Sequence, residues 1–294
     1  MNNADKVYLE LCEDILKNGI AKEDRTGTGT LSVFGRQLRF DLAEGFPLLT
    51  TKFVPFRLVL EELLFFVRGS TELAELLEQD VDIWTRDAYK MYLREWDEAE
   101  TQSGPLTLDE FREDAKEYGY WLGPIYGAQW RDFNGEGVDQ LQDLIDELRR
   151  NPDSRRLIVS AHNPAQTDIM ALPPCHTFFQ VYQAGGKVSL HMYQRSADVF
   201  LGLPFNIASY ATLLEMIALL TGYDCGELII SIGDAHIYTN HVEQVKTQML
   251  REPKELPWVN IILPREGTID SFDRNCFFLS GYEPHGRLKG EQSS

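Results

Sequence analysis

The stretch HTFFQVYQAGGKVSLHMYQRSADVFLGLPFNIASYATLLEMIALLTG, residues 176–222, decides the fold class. It opens with two strand-like runs, 176–183 and 187–194, one directly after the other. A long and very apolar helix follows at 205–222, and beyond it a strand at 227–232 and a helix near 238–250. Upstream, a helix over 138–151 leads to a strand-like run at 156–161. Nearer the start, Val7, Leu11, Cys12, Ile15 and Leu16 share one helical face, with Gly19 as the stop. Residues 30–42 alternate as a strand, and Pro55 opens a helix, 55–69, that is apolar nearly all round and so belongs in a core. Strands and helices do not strictly alternate. That order predicts an α+β fold, one large domain over 1–294 with a mixed sheet packed by helices. Residues 86–121 are charged and polar and read as an insertion, within which Thr107 and Glu110 predict a capping box on a short surface helix.

Composition narrows the function. A net charge of −18 excludes a broad nucleic-acid surface, although a local arginine cluster can still attract a small anion. Four widely spaced cysteines, with no C-x-x-C pair, read as reduced thiols of a cytoplasmic protein. The first residues lack the basic-then-apolar pattern of a signal peptide, and no run reads as the roughly 18 apolar residues of a membrane span. His236 and His241 do not have metal-ligand spacing, so no metal is expected.

Several residues carry candidate chemistry. Cys175 follows Pro173-Pro174 and precedes His176. A free cysteine is ordinarily a small buried side chain, but a stiff approach suits a nucleophile that must meet one atom from one direction. Arg195 and Ser196 are either edge residues or a phosphate cradle. Asn206 either caps the long helix or presents an amide that reads a base edge. Arg155 and Arg156 stand where cations offset a helix dipole. Glu62, in an apolar helix, is expected to have a raised pKa unless paired. DRTGTGT, residues 24–30, is a glycine-rich turn without a P-loop ending, and His236 and Tyr238 fall on one strand face.

Taken together, these segments closely resemble the thymidylate synthase family. DRTGTGT, FPLLTTK, EELLFF, LGPIYGAQWR, PDSRR, LPPCH, YQRSADVFLGLPFNIASY, GDAHIYTNH and GYEPH occur in the family's order and span nearly everything outside 86–121. The resemblance implies dUMP as substrate, with Cys175 attacking C6 of the uracil. Arg25, Arg195 and Ser196 would hold the phosphate, with Arg155 and Arg156 reaching over from a second subunit of a homodimer whose interface is the sheet. Asn206 would read the pyrimidine, His236 and Tyr238 the ribose 3′-hydroxyl. Glu62 and Tyr126 would manage protons. The implied co-substrate is 5,10-methylenetetrahydrofolate, met by Asp198, Trp84, Leu201, Gly202 and Phe205, with Lys52 at its glutamate tail.

The chain also departs from that pattern. Phe53 stands at a position usually Arg or Lys, Thr85 where the family has Asp, and Asp87 where it has Trp or Asn. The tail loses the proline after His285 and ends in Ser293-Ser294. These departures lie on the folate side and leave two products open, dTMP or 5-hydroxymethyl-dUMP. A catalytically reduced nucleotide- or RNA-binding relative is disfavoured by Cys175, Glu62, Tyr126 and Asn206.

Overall fold

The computed structural model describes residues 2–23, 27–99 and 104–291. In chain order its elements are α1 (Asn3–Asn18), β1 (Ile20–Lys22), β2 (Thr30–Asp41), α2 (Phe56–Val67), α3 (Leu73–Glu78), α4 (Thr85–Glu98), α5 (Leu108–Tyr118), α6 (Tyr126–Arg131) and α7 (Gln140–Arg150). There follow β3 (Ile158–Ser160), β4 (His176–Ala184), β5 (Lys187–Asp198), α8 (Gly202–Thr221), β6 (Asp224–Tyr238), α9 (Val242–Met249) and the strands β7 (Trp258–Ile261) and β8 (Phe277–Ser280). Six strands form one sheet in the order β1-β2-β6-β5-β4-β3, and β7 pairs with β8 alone. Among the described residues only β5 and β6 run parallel, joined through α8; every other pairing is antiparallel. The sheet is mixed, as the element order predicts.

Period-two alternation sorts the sheet's faces. Phe179, Val181, Leu190, Met192, Leu228, Ile230, Leu38 and Phe40 point to the helices and are buried. Their neighbours point the other way and stay uncovered in the chain: Ile158, Phe178 and Tyr182 are 45%, 40% and 65% exposed. Helix α8 packs on β5 and β6 and, on its far side, against α2 and α7. That sandwich explains why α8 and α2 are apolar nearly all round. Helix α8 is also long and apolar enough to cross a bilayer, which corrects the expectation that no run reaches that length; here it is a core helix. The insertion forms α4 and α5, and the capping box is present, Thr107 accepting from the Glu110 N–H while the Glu110 carboxylate accepts from that of Thr107.

Two strands run past the cores at 187–194 and 227–232 to the residues expected on strands. β5 continues through Arg195 and Ser196 to Asp198, and β6 continues to Tyr238. Their parallel register sets Ser196 beside Asp234 and Asp198 beside His236. Gly233 makes this approach possible, because a Cβ there would stand 2.7 Å from the Arg195 carbonyl oxygen. The functional rim is built on these paired strand ends.

Candidate active site

Cys175 sits where the loop from 170 enters β4. Its backbone N–H donates to the Tyr126 hydroxyl at 2.7 Å, and its carbonyl accepts from the Arg195 N–H at 2.8 Å. The Arg195 guanidinium donates through Nε to the Pro174 carbonyl and through Nη2 to the Pro173 carbonyl, both at 2.8 Å. Arg195 thus clamps the Pro-Pro approach from the neighbouring strand, with further N–H groups left for an anion.

Tyr126 opens α6 and is buried against Phe66 and His176, with ring centroids 4.9 and 5.0 Å away. Burial, reinforced by the Cys175 thiol, raises its hydroxyl well above the ordinary value, so it stays protonated. Glu62 lies in α2 beneath the same aromatic group. The Trp84 indole N–H donates to one Glu62 oxygen at 2.8 Å, while the other oxygen has no partner among the described residues. Burial pushes the Glu62 carboxyl up to about 7, the indole bond opposing it. That confirms the expected direction for a carboxyl group in an apolar helix, and it poises the group between acid and base near neutral pH. Trp84 is held edge-on by Phe66 and Tyr126.

The first turn of α8 faces this group. Asn206 accepts from the Gln194 side-chain amide at 2.9 Å, and the same amide donates to the Ser196 carbonyl at 3.1 Å. Gln194, 2% exposed, has no partner among the described residues for its own side-chain oxygen. A glutamine inside a strand gives no signal of its own, and sequence reasoning missed it. His176 was noted only as a neighbour of Cys175. It is buried, bonds Asn206, and is pushed down to about 4 by that burial, so its imidazole is neutral.

Asp198 ends β5 and accepts the backbone N–H groups of Phe200 and Leu201 at 2.9 and 3.1 Å, fixing the turn into α8. Gly202 lies between Asp198 and Asn206, and Phe205 packs on the core edge. On β6, His236 meets Tyr238 edge-on at 5.2 Å and lies 3.2 Å from Asp234, which also accepts from Ser32 and Lys22.

The remaining expected residues lie elsewhere. Lys52 is buried, its ammonium donating to the Phe200 carbonyl, and burial lowers it to about 8. In this conformation it offers no surface charge to a ligand tail. Arg155 and Arg156 precede β3, whose register puts Ile158 opposite Gln180. That places Arg156 alongside Tyr182, six residues along β4 from His176, which is about 20 Å at the usual rise per residue. Arg25 and Ser293-Ser294 lie outside the described residues. Among the described residues no group of three or more His, Cys, Asp or Glu side chains is arranged to hold a metal ion.

A six-stranded mixed sheet packed by helices is the fold of a family of pyrimidine C5 one-carbon transferases. The match is to the family model described as Thymidylate synthase, over residues 6–294, and the chain belongs to the thymidylate synthase family. The family acts on dUMP with methylenetetrahydrofolate as its general co-substrate.

Proposed function

We propose that the protein converts dUMP to dTMP, with Cys175 as nucleophile. The observation that carries this reading is the grouping of Cys175, the Tyr126 hydroxyl, the Glu62 carboxyl at about 7 and the Asn206 amide around one rim. Addition of the Cys175 sulfur to C6 turns C5 into a carbon nucleophile. The folate supplies a methylene to C5 and then a hydride, leaving as dihydrofolate. Glu62, through its unpartnered oxygen and water, holds the proton at O4, and the C5 proton leaves to water that the protonated Tyr126 hydroxyl orients. Expulsion of the sulfur restores the ring.

Asn206 reads the base. With its amide held by Gln194 and His176, it would donate to O4 and accept from N3–H. Arg195, Ser196 and Arg25 take the phosphate, and His236 and Tyr238 the ribose. The uncovered sheet face supports a homodimer in which Arg155 and Arg156, too far along β4 for their own Cys175, serve the partner's site. The residues fit a reduced folate: Asp198 keeps one carboxylate oxygen unpartnered among the described residues, beside Leu201, Gly202, Phe205 and Trp84.

A second reading is a dUMP hydroxymethylase, in which water replaces hydride. The Asp87–Lys90 ion pair on α4, the helix that Trp84 precedes, favours it by putting charged groups within a few residues of Trp84. Thr85 does not, since its hydroxyl is spent on Asp82. Chromatography of the nucleotide product, with absorbance tracking dihydrofolate, separates them. Equimolar dTMP and dihydrofolate support the first reading; 5-hydroxymethyl-dUMP with no oxidised folate supports the second.

A further inference from the structure

A cavity of about 590 Å³ lies at the N-terminal end of α2, lined in part by Phe53, Arg57, Arg274, Phe277, Tyr282 and Arg287. Its size suits a small ligand or part of one. Three of its walls are arginines and only Asp80 is acidic, in a chain whose net charge is −18. The local sign opposes the global one, which points to an anion.

The three guanidiniums are lightly used. Arg57 donates to the carbonyls of Gln79 and Asp80 at 2.7 and 3.4 Å, and Arg274 reaches Glu61 only at 3.5 Å. Arg287 has no hydrogen bond to any described residue and stands over the Phe53 ring, 4.8 Å from its centroid. Phe53 in turn leans on Tyr282, centroids 6.1 Å apart, and the Tyr282 hydroxyl accepts the Val54 N–H at 2.8 Å. The tail that carries Arg287 is laid down on both sides of it. The His285 N–H donates to the Thr50 carbonyl at 2.7 Å, Arg251 to the Gly286 carbonyl at 2.8 Å, and His241 bonds the Glu291 carbonyl at 2.8 Å. Gly290 fits because a Cβ there would stand 2.8 Å from both His241 and Phe200.

Phe53 and the tail after His285 are two of the places where this chain departs from its family, and here they touch. We propose that Arg287, stacked on Phe53 and flanked by Arg57 and Arg274, binds the carboxylates at the glutamyl end of the reduced folate. The cation absent at residue 53 is returned from the tail. This rests on the reading of a folate as co-substrate. An aromatic platform holds the guanidinium in place without using its N–H fork, which leaves the fork free to meet a carboxylate through two bonds. Because the same segment closes along residues 50–53, occupation of the cavity and docking of the tail favour one another.

The test is equilibrium binding of monoglutamyl and triglutamyl tetrahydrofolate to the dUMP-loaded protein, with dUMP affinity and thermal midpoint measured alongside. Wild type should bind the triglutamate more tightly. Arg287→Ala should weaken it about tenfold, the scale of a lost charge-assisted hydrogen bond, and the monoglutamate far less. Adding Phe53→Arg to Arg287→Ala should restore the preference, with dUMP affinity constant throughout. An unchanged triglutamate preference in Arg287→Ala overturns the proposal, and so does an equal loss for both folates, which marks a role in tail docking alone. Failure of wild type to bind either folate contradicts the co-substrate reading itself.

Discussion

The two sides of the site are built differently. On the thiol side the central residues are fixed by one another: Arg195 holds the Pro-Pro approach, Tyr126 holds the Cys175 N–H, and Gln194 holds Asn206. These groups stand on strands and helix ends of the main sheet. On the side of Trp84, Phe53 and the tail, the chain departs from its family and the contacts come from loops, the insertion's first helix and residues 285–291. A site carried by paired strand ends tolerates little change, whereas one carried by loops and a tail can trade a charge at residue 53 for one at residue 287.

The sharpest break in this comparison is Glu62→Gln, which strikes the thiol side without altering shape. Turnover should fall about a hundredfold, the low end for loss of a general acid–base group. Stability should move the opposite way. Burial raises the folded carboxyl from 4.5 to about 7, so its contribution is intact below the unfolded value and is lost as pH rises through about 7. Thermal melts should then show the variant gaining on wild type as pH rises from about 4.5 to about 7, reaching a plateau of up to ~3 kcal/mol above that, and matching it near pH 4. Equal stability across the range would mean the carboxyl is not buried in this way.

Asn206→Asp comes next. A carboxyl group that accepts from the cytosine amino group should lower kcat/KM for dUMP by about tenfold to a hundredfold and raise it for dCMP. Full retention of the dUMP preference would remove Asn206 as reader.

How much of this was legible beforehand depends on where the constraint lies. Local chemistry was readable: the box at Thr107 and Glu110, the burial of α2 and the raised Glu62 carboxyl all follow from neighbours in sequence. The family resemblance carried the candidate residues. The close pairing of the β5 and β6 ends was not readable, because Gly233 shows its purpose only once the other strand's backbone is seen to need the room. Gln194 was missed for the same reason, its role existing only across the gap to α8. The inward turn of Lys52 and the stacking of Arg287 on Phe53 are tertiary facts with no local signal.

Gln194→Ala sharpens the comparison with a smaller effect. Freed from its partner, Asn206 can rotate, so KM for dUMP should rise about fivefold to tenfold with kcat changed less. A fall in kcat alone would argue against a positioning role. The smallest effect is expected in the insertion. Thr107→Ala removes the cap of α5 and should cost about 1 kcal/mol of stability, read by denaturant melts, with kcat/KM unchanged. A loss of activity there would tie the insertion to the site.

The most direct test of the central claim is mass spectrometry of the protein after incubation with 5-fluoro-dUMP and 5,10-methylenetetrahydrofolate. Fluorine at C5 cannot leave as a proton, so the sequence should stop with sulfur, nucleotide and one-carbon unit joined. The account predicts a denaturation-stable adduct on the peptide that carries Cys175, absent from Cys175→Ala. No adduct on the wild type, or one on Cys12, Cys225 or Cys276 instead, would contradict it.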